Sequence, residues 1–400
     1  MSDWQKPEHD TYDVVIVGGA IMGSSTAFWL NKLGFAGRVL VVEMDPSYEF
    51  CSTAHTNSCI RQQFSNELNI RISQTTANFI RNIREEMGDE RVPDIHFQTY
   101  GYMYLSGDAA FSDTLGELAA LQRSLGAETE ILTPAEIAER YPFYNLDGIA
   151  VGSINRKDEG YWDGGTVFEW LRRLARERGT EYCTNRVTGF RKDGRRITHV
   201  ELADGSVISC GQVVNSSGPR GAATAEMVGI ELPVEPRKRF TWIFSAEEPL
   251  DRDLPLTIDP SGVHCRQDGP TTYLAGATPD EDPAVDPTDF SMSEETWMEK
   301  AWPAIAHRIP AFERIKLVAE WAGHYAYNVF DQNAIMGTHP DVENFVFLNG
   351  FSGHGLQQSV PLGRATAEWL IHGAYQTLDM TPFSVTRIAE GRSYLERAVI

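Results

Sequence analysis

The sequence predicts an α/β protein built from a doubly wound, Rossmann-like domain and a second, α+β domain. Residues 12–18 (YDVVIVG) are β-rich, residues 21–34 repeat apolar side chains at helical spacing, and residues 38–43 (RVLVVE) are β-rich again. This order is typical of a strand, a glycine turn, a helix and a parallel strand. With 400 residues, of which 42% are hydrophobic, the chain can bury two cores. Further β-rich segments are found at 186–191, 197–202, 206–214, 239–245 and 271–276.

Helical patterns occupy much of the remaining chain. Helices are predicted over 66–87, twice within 108–140, over 164–178 and over about 360–372. Pro134 is suited to the start of the second helix of the 108–140 pair. Residues 278–290 (TPDEDPAVDPTDF) are rich in proline and aspartate and are predicted to form a loop.

The net charge argues against two classes of partner. Lys and Arg number 35 against 56 Asp and Glu, a net charge of −21, so phosphate backbones and anionic membrane surfaces are repelled. No apolar run reaches the roughly 18–20 residues of a membrane span, and the polar N-terminus lacks the features of a secretory signal. The five cysteines are scattered without a C-x-x-C pair, so no zinc site or disulfide framework is indicated. We expect no metal, no nucleic acid partner, no integral membrane segment and a cytoplasmic location.

The first glycine motif, VGGAIMG, lies between the first predicted strand and helix. Gly18 permits a tight turn, and Gly23 lets the helix approach the strand closely. Ala20 stands where a glycine would let the backbone approach a pyrophosphate. Glu43 ends the second strand, where a carboxylate accepts hydrogen bonds from ribose hydroxyls. The spacing predicts a dinucleotide site; the alternative is a tight turn without a ligand.

The second glycine motif, GFSGHGLQQS at residues 350–359, directly precedes the last predicted helix. A glycine-rich loop that runs into a helix presents unpaired N–H groups and the positive end of the helix dipole. The alternative is a helix entry without a ligand. Neither a second fingerprint for a nicotinamide nor a C-x-x-x-x-C redox pair is found. Two possible ligands therefore remain for the dinucleotide site: one tightly held cofactor, or one exchangeable NAD.

Six segments carry a family resemblance: VVIVGGAIMGSSTAFWL, VVEMDPSYEFCSTA with IRQQFS, VVNSSGP, LPVEPRKR, WAGHYAYNVFDQNAIMG and NGFSGHGLQQS. They resemble the D-amino-acid oxidase superfamily of FAD proteins, in its sarcosine and dimethylglycine oxidase or dehydrogenase branch. The resemblance implies a doubly wound FAD domain assembled from residues 1–90, 145–225 and 325–400. It implies a substrate domain with a large antiparallel or mixed sheet, from residues 91–144 and 226–324.

The resemblance also implies the cofactor and its contacts. FAD is expected to be bound without a covalent bond, although His55 lies near a position where some relatives tether the flavin. The glycines at 350, 353 and 355 are expected to let the backbone lie against the flavin ring. The expected cofactor residues are Gly18, Gly19, Ala20, Ile21, Met22, Gly23, Glu43, Met44, Ser52, Thr53, His55, Ser58, Val187, Ser217, Gly218, Gly350, Ser352, Gly353, His354, Gly355, Leu356 and Gln357.

The chemistry implied by the resemblance is removal of two electrons and a proton from a C–H bond next to nitrogen. The product is an imine that water hydrolyses. The expected substrate is a secondary amine with a carboxylate, such as an N-alkyl glycine or iminodiacetate, and the expected electron acceptor is O2, with release of H2O2. Alternatives are a dehydrogenase with another acceptor, an enzyme acting on D-amino acids, or a flavin-binding assembly or interaction protein with vestigial activity.

Arg61, in IRQQF, stands at the position of an arginine that clamps the substrate carboxylate in sarcosine oxidases, and a guanidinium suits bidentate carboxylate binding. Gln357 replaces a lysine that serves some relatives as a second clamp. Arg239, within the basic run 237–239, draws in an anionic substrate or else belongs to a solvated strand end. The alternative for Arg61 is a structural ion pair.

His354 lies in the loop expected to face the flavin, where it can donate a hydrogen bond to the ring. His324, in WAGHYAY, stands roughly where monomeric sarcosine oxidases have a cysteine bonded to the flavin, so that bond cannot form here. For His354 the alternative is a loop histidine satisfied by the protein. The complete set of expected catalytic residues is Arg61, Arg239, His324, Tyr325, His354 and Gln357.

Overall fold

A computed structural model describes residues 4–397 of the chain. Within this range the strands are β1 (Thr11–Val17), β2 (Val39–Glu43), β3 (Cys59–Ile60), β4 (Phe97–Gln98), β5 (Tyr102–Ser106), β6 (Glu130–Leu132), β7 (Val151–Asn155), β8 (Gly160–Trp162), β9 (Glu181–Thr184), β10 (Val187–Asp193), β11 (Arg196–Leu202), β12 (Val207–Asn215), β13 (Val234–Ala246), β14 (Leu256–Ile258), β15 (His264–Gln267), β16 (Thr272–Ala277), β17 (Ile315–Asn328), β18 (Ile335–His339) and β19 (Val342–Asn349). The helices are α1 (Ile21–Lys32), α2 (Glu67–Arg81), α3 (Ile83–Met87), α4 (Ala109–Ser124), α5 (Pro134–Arg140), α6 (Gly164–Glu177), α7 (Gly221–Glu226), α8 (Trp302–Arg308), α9 (Gly355–His372) and α10 (Thr386–Ala389). None of these helices combines the length and the hydropathy of a membrane span.

The first sheet of the described chain is mixed and has eight strands. Its order is β10-β11-β12-β1-β2-β9, and β19, which pairs with β18, also pairs with β12. The strands β9, β2, β1, β12 and β19 are parallel. Their carboxyl ends lie at one edge, which is where open α/β sheets bind ligands. The predicted order of strand, glycine turn, helix and parallel strand is confirmed by β1, α1 and β2.

Helix α1 is fixed in the centre of the first domain. Residues from Ile21 to Leu30 are all buried, because α6 and α9 cover the helix on the side away from the sheet. A side chain at Gly363 would overlap Ser25, so α1 and α9 cross with their backbones in close approach. This packing places the first turn of α1 and the first turn of α9 in the same region.

The second sheet is the large, mostly antiparallel sheet that the resemblance predicted. Within residues 4–397 its order is β17-β13-β16-β15-β14-β5-β7-β6, and β14 and β5 form its parallel pair. Side chains alternate along β13: Phe240 and Trp242 pack into a buried aromatic core, whereas Arg239 and Thr241 lie on the opposite face. That opposite face is turned toward the first domain. Strands β3, β8 and β4 form a third, small sheet.

Helix α9 begins at Gly355, five residues before the predicted start, because its first turn is formed by the glycine motif itself. It continues through Pro361, which has no N–H to donate to the carbonyl of Gln357. The hydroxyl of Thr76, on α2, donates to that carbonyl at 2.6 Å instead. The helix therefore stays continuous, and the carbonyl that Pro361 leaves without its usual donor is satisfied.

Two further details differ from the sequence-based expectations. The helix predicted over 66–87 is divided at Asn82 into α2 and α3. Residues 151–155, which the predicted domain division assigns to the first domain, form β7 and pair with β5 in the second sheet. The chain therefore crosses between the sheets more often than the predicted boundaries allow, and the division itself stays a prediction.

Candidate functional site

A cavity of about 1130 Å³ lies between the two sheets. It is lined by the residues that follow the carboxyl ends of β1, β2, β12 and β19, and on the other side by β13, β15 and β17. Its volume slightly exceeds the roughly 300–1,000 Å³ found for small-molecule sites. A long ligand can therefore run from the first turn of α1 to the second sheet.

The structure brings most of the predicted residues together around this cavity. All six predicted catalytic residues line it. The predicted cofactor residues that line it are Gly18, Ala20, Ile21, Met22, Glu43, Met44, Ser52, Thr53, His55, Ser58, Val187, Ser217, Gly218, Ser352, Gly353, His354, Gly355, Leu356 and Gln357. Their individual roles stay predictions.

Three predicted glycines lie outside the cavity wall, for steric reasons. A side chain at Gly23 would overlap the carbonyl of Gly18, so Gly23 serves the close packing of α1 on the turn. Gly19 is packed against Tyr48, where an added Cβ would lie 2.9 Å from the phenol oxygen. Gly350 has φ +70 and forms a turn beside Asn328. These glycines shape the backbone around the cavity without lining it.

The glycine turn after β1 is well formed for a dinucleotide. Gly18 has φ +95, and an added Cβ would lie 2.7 Å from the carbonyl oxygen of Ser216. The carboxylate of Glu43 accepts hydrogen bonds from the N–H groups of Gly19 at 2.7 Å and Asp45 at 2.8 Å. Burial raises the pKa of Glu43, and the two N–H donors oppose that rise. Because a carboxylate has about four acceptor sites, Glu43 can still accept ribose hydroxyls.

Residues 350–357, here called the glycine loop, bring the N-terminus of α9 to the cavity. Ser352 has φ 48 and Gly353 has φ +90, so the loop is held in the left-handed region at two consecutive residues. A side chain at Gly353 would overlap the ring of Tyr325. Since the first N–H groups of a helix have no partner within the helix, α9 offers donors beside the loop. Backbone donors and the helix dipole make this end of the cavity favourable for negative charge.

Beneath the glycine loop, Arg61 belongs to a closely packed cluster. Its Nη1 donates to the carbonyl of Gln63, its Nη2 donates to Nε2 of His354 at 2.9 Å, and its Cζ lies 4.0 Å from the centre of the Phe64 ring. The side-chain oxygen of Gln357 accepts from the N–H of Arg61 at 2.9 Å. Arg61 is only 3% exposed. The cluster thus positions the glycine loop as well as lining the cavity.

The protonation of His354 follows from its contacts. Because Arg61 is a donor, Nε2 of His354 accepts and the proton of the neutral imidazole resides on Nδ1. Burial lowers the pKa of His354 well below its ordinary value, and the neighbouring Arg61 lowers it further. The Nδ1 atom is buried and has no acceptor among the described residues. The loop therefore holds one neutral N–H donor that a ligand can pair.

Arg239 lies on the opposite wall, at the centre of β13. Its Nη1 and Nη2 donate to the two carboxylate oxygens of Asp282, at 2.8 and 3.0 Å. Its Cζ lies 4.5 Å from the centre of the Tyr325 ring, the same ring that touches the glycine loop. The basic run 237–239 is therefore an anchor for residues 278–290, here called the acidic loop, rather than a solvated strand end.

His324 and His55 surround an aromatic residue of the acidic loop. Phe290 lies between them, with ring centroids 4.4 Å from His324 and 5.2 Å from His55. Nε2 of His324 donates to the carbonyl of Asp289 at 2.9 Å, and burial lowers the pKa of His324. These histidines fix the acidic loop over the cavity.

Sequence reasoning missed several polar residues of the second wall. Asn57, Thr241 and His264 line the cavity and are joined by hydrogen bonds. Thr241 donates to Oδ1 of Asn57 at 2.9 Å, and Nδ2 of Asn57 lies 2.9 Å from Nε2 of His264. Alternation along β13 predicts that Thr241 shares the face of Arg239. His264 gave no such signal, because it reaches the cavity through the pairing of β15 with β16.

Known proteins with similar sequences and structures identify the family. The profile described as "FAD dependent oxidoreductase" (DAO) matches residues 13–369. FAD-dependent oxidoreductase domain-containing protein 1 of Xenopus laevis is 37% identical over 97% of this chain and 85% of its own length. Human mitochondrial sarcosine dehydrogenase is 24% identical, over 96% of this chain and 42% of its own length. The crystal structure of L-proline dehydrogenase from P. horikoshii aligns with a TM-score of 0.82 and 25% identity, over 96% of this chain and 99% of that one.

The chain therefore belongs to the DAO family of FAD-dependent oxidoreductases. Its fold, with one mixed and one mostly antiparallel sheet, is the fold of that family. The described residues fit FAD: the turn at Gly18 and the carboxylate of Glu43 suit the dinucleotide, and the glycine loop lines the cavity with Gly353 and Gly355. The buried Nδ1–H of His354 lacks an acceptor, which a flavin ring can supply. The prediction of an FAD protein in this family is confirmed.

Proposed function

We propose that the protein oxidises the C–N bond of a secondary amine that bears a carboxylate, such as an N-alkyl glycine or iminodiacetate. The observation that carries this proposal is the cavity, which has α9 and the glycine loop on one wall and the sheet face with Arg239 on the other. Bound FAD supplies the two-electron acceptor. The neutral secondary amine loses two electrons and the C–H proton and becomes a protonated imine, which water hydrolyses to a carbonyl compound and an amine.

The residues of this chain have separate tasks in the proposed reaction. Gly18 and Glu43 hold the dinucleotide, and the glycine loop holds the ring. The N–H groups at the start of α9 and the Nδ1–H of His354 favour negative charge on the ring. An arginine pairs with the carboxylate of the substrate, so that the reacting C–H is held in one orientation. Arg61 and Arg239 both line the cavity.

The names of two relatives support this substrate class. Sarcosine and proline are both secondary amines that carry a carboxylate, and the relatives named for them cover 96% of this chain each. We further propose that O2 reoxidises the flavin with release of H2O2, without a covalent bond between FAD and His55. A cytoplasmic location also stays a proposal.

The test is anaerobic mixing of the purified FAD-loaded protein with sarcosine, dimethylglycine, iminodiacetate, proline and D-amino acids. Bleaching of the long-wavelength flavin band by a secondary amino acid is expected. Sarcosinamide and prolinamide are matched controls that lack the carboxylate, and they are expected to bleach the band far more slowly. Admission of air with detection of H2O2 then distinguishes an oxidase from a dehydrogenase.

Three results would contradict the proposal. Reduction by D-amino acids alone would assign a different substrate class. A flavin that dithionite reduces but no amine reduces would favour a flavin-binding assembly protein, the alternative that the sequence left open. Equal rates with sarcosine and sarcosinamide would remove the carboxylate from the recognition chemistry.

A further inference from the structure

Four polar residues of the second wall form a connected surface, here called the sheet site: Asn57, Arg239, Thr241 and His264. Thr241 on β13, Gly276 on β16 and His264 on β15 lie in one row across the sheet, because each pairs directly with the next. Directly paired residues share a face. Arg239 lies two residues before Thr241 on β13 and therefore shares the face as well.

The missing side chain of Gly276 determines where His264 points. A Cβ at position 276 would overlap both Nε2 and Cε1 of His264. The imidazole therefore lies across β16, in the space above the glycine, and extends toward β13. There its Nε2 meets the amide of Asn57, whose Oδ1 is already hydrogen-bonded by Thr241.

These hydrogen bonds fix the proton of His264. Because the hydroxyl of Thr241 donates to Oδ1 of Asn57, the Nδ2 group of Asn57 faces His264 and donates to its Nε2. The neutral imidazole then carries its proton on Nδ1. That atom is buried and has no acceptor among the described residues. Burial and, to a smaller extent, the charges of Arg266 and Arg239 together lower the pKa of His264 to about 4, so the ring is neutral near pH 7.

Arg239 presents a second buried N–H donor that lacks an acceptor among the described residues. Asp282 occupies both of its terminal nitrogens, and the stack on Tyr325 fixes the plane of the guanidinium. The Nε–H is buried and has no acceptor among residues 4–397. A buried N–H without an acceptor is destabilising, so a ligand oxygen at this position gains affinity.

The charge of the cavity wall also favours an anion. Among the described residues, the carboxylates that line the cavity are Glu43 and Asp45, which both lie near the end of β2. The part next to the second sheet has Arg239 in its wall. Burial is the main cause of the lowered pKa of His264, and the nearby charges of Arg266 and Arg239 lower it in the same direction.

We propose that the sheet site binds the carboxylate of the substrate, with the Nε–H of Arg239 and the Nδ1–H of His264 as its donors. The amine end of the substrate then faces the glycine loop. This inference rests on the proposed function and specifies its recognition group. It assigns the carboxylate to Arg239 instead of Arg61, whose guanidinium already donates to Gln63 and His354.

The test is calorimetric titration of the FAD-loaded protein with propionate and with propionamide, which share a shape and differ in charge. The wild-type protein is expected to bind propionate more tightly. In the R239Q variant, the dissociation constant for propionate is expected to rise about 10- to 100-fold, since charge-assisted hydrogen bonds are lost. Binding of propionamide is expected to stay unchanged, which a merely structural role for Arg239 would not produce.

R237Q is the matched control. Arg237 lies on the same strand, also pairs with Asp282, and does not line the cavity. If R239Q does not fold, R239K serves in its place, because lysine keeps the charge but lacks the Nε–H. R239K is expected to weaken propionate binding as well, and wild-type affinity in R239K would count against the Nε–H contact.

The outcomes separate this inference from the proposed function. Loss of propionate binding in R239Q, with no amine able to reduce the flavin, would support the sheet site and overturn the amine chemistry. Reduction of the flavin by a secondary amino acid, with equal propionate binding in R239Q and wild type, would support the chemistry and overturn the sheet site. A wild-type protein that does not distinguish propionate from propionamide would also overturn the sheet site.

Discussion

The two walls of the cavity use the same pair of residue types in different ways. On the glycine-loop wall, Arg61 donates to Nε2 of His354; on the sheet wall, Asn57 donates to Nε2 of His264 while Arg239 lies nearby. Both histidines are neutral, with a buried Nδ1–H that lacks an acceptor among the described residues. Arg61 is enclosed by the protein, whereas Arg239 is held by Asp282 of a surface loop. The comparison teaches that a buried arginine can support a loop or recognise a ligand, and that its partners decide which.

The largest expected effect comes from R61A. If Arg61 mainly supports the glycine loop, its removal leaves His354 and the carbonyl of Gln63 without donors. Each buried acceptor left without its donor costs about 1–3 kcal/mol, so the melting temperature and the FAD content are expected to fall together. Thermal unfolding followed by flavin fluorescence measures both. Normal FAD content with only a raised KM would instead support the carboxylate clamp predicted from the sequence.

The next largest effect is expected from G353A. A methyl group at position 353 would overlap the ring of Tyr325, and the residue has φ +90, which strains any L side chain. The dissociation constant for FAD is expected to rise about 10- to 100-fold, from a cost of roughly 1–3 kcal/mol. G373A is the control, since Gly373 has φ +68 but open space around it. Equal FAD affinity in both variants would show that the contact with Tyr325 is unimportant.

A smaller effect is expected from D282N, which leaves the glycine-loop wall untouched. The neutral amide holds the guanidinium of Arg239 less firmly, and the pair is partly exposed, at 12% for Arg239 and 27% for Asp282. The KM for the carboxylate substrate is expected to rise about 3- to 10-fold with unchanged FAD content. E235Q, which alters a partner of Arg237, is the control. A changed kcat with constant KM would place Asp282 outside substrate recognition.

The smallest effect concerns pH and the buried carboxyl group of Glu159, which accepts from Gln63, the residue whose carbonyl accepts from Arg61. Burial raises the pKa of Glu159 to about 7, although hydrogen bonds from Gln63, Gln62 and Asn155 oppose the rise. The folded-state pKa lies above the unfolded value, so this contribution to stability is complete below about pH 4.3 and is lost as the pH rises through about 7.

The melting temperature is therefore expected to fall between pH 5 and pH 8, by about 2–4 °C from this group. E159Q is expected to melt lower at every pH but to show a flatter profile, and the slope is the readout. An unchanged slope in E159Q would assign the pH dependence to another group. His264, with a pKa of about 4, does not titrate in this range, so the sheet wall is expected to be insensitive.

The elements whose conformation depends on residues adjacent in the sequence could be predicted. The strand, turn and helix around Gly18 follow from local periodicity, and the glycine loop follows from its composition. The acidic loop was predicted from proline and aspartate, but its attachment to Arg237, Lys238 and Arg239 was not. Ion pairs between segments 40 or more residues apart cannot be predicted from the sequence of either segment alone.

The parts that depend on sheet register were not predictable. His264 enters the sheet site because β15 pairs with β16 and because Gly276 leaves space for its ring. The early start of α9 was missed because glycines favour loops, and Pro361 within the helix required a compensating hydroxyl from another element. Residues 151–155 lie inside the first-domain range of the predicted division, whereas the structure pairs them, as β7, with β5 of the second sheet, and no local pattern indicates that partner.

The bond from Thr76 to the carbonyl of Gln357 has a mechanical consequence. The bond joins α2 to the first turn of α9, where Pro361 lacks the N–H that would donate to this carbonyl within the helix. Rotation of α9 about its axis, or a slide along it, would break this bond and leave a buried carbonyl unpaired. The N–H donors at the start of α9 therefore keep the same position and direction while ligands enter and leave the cavity.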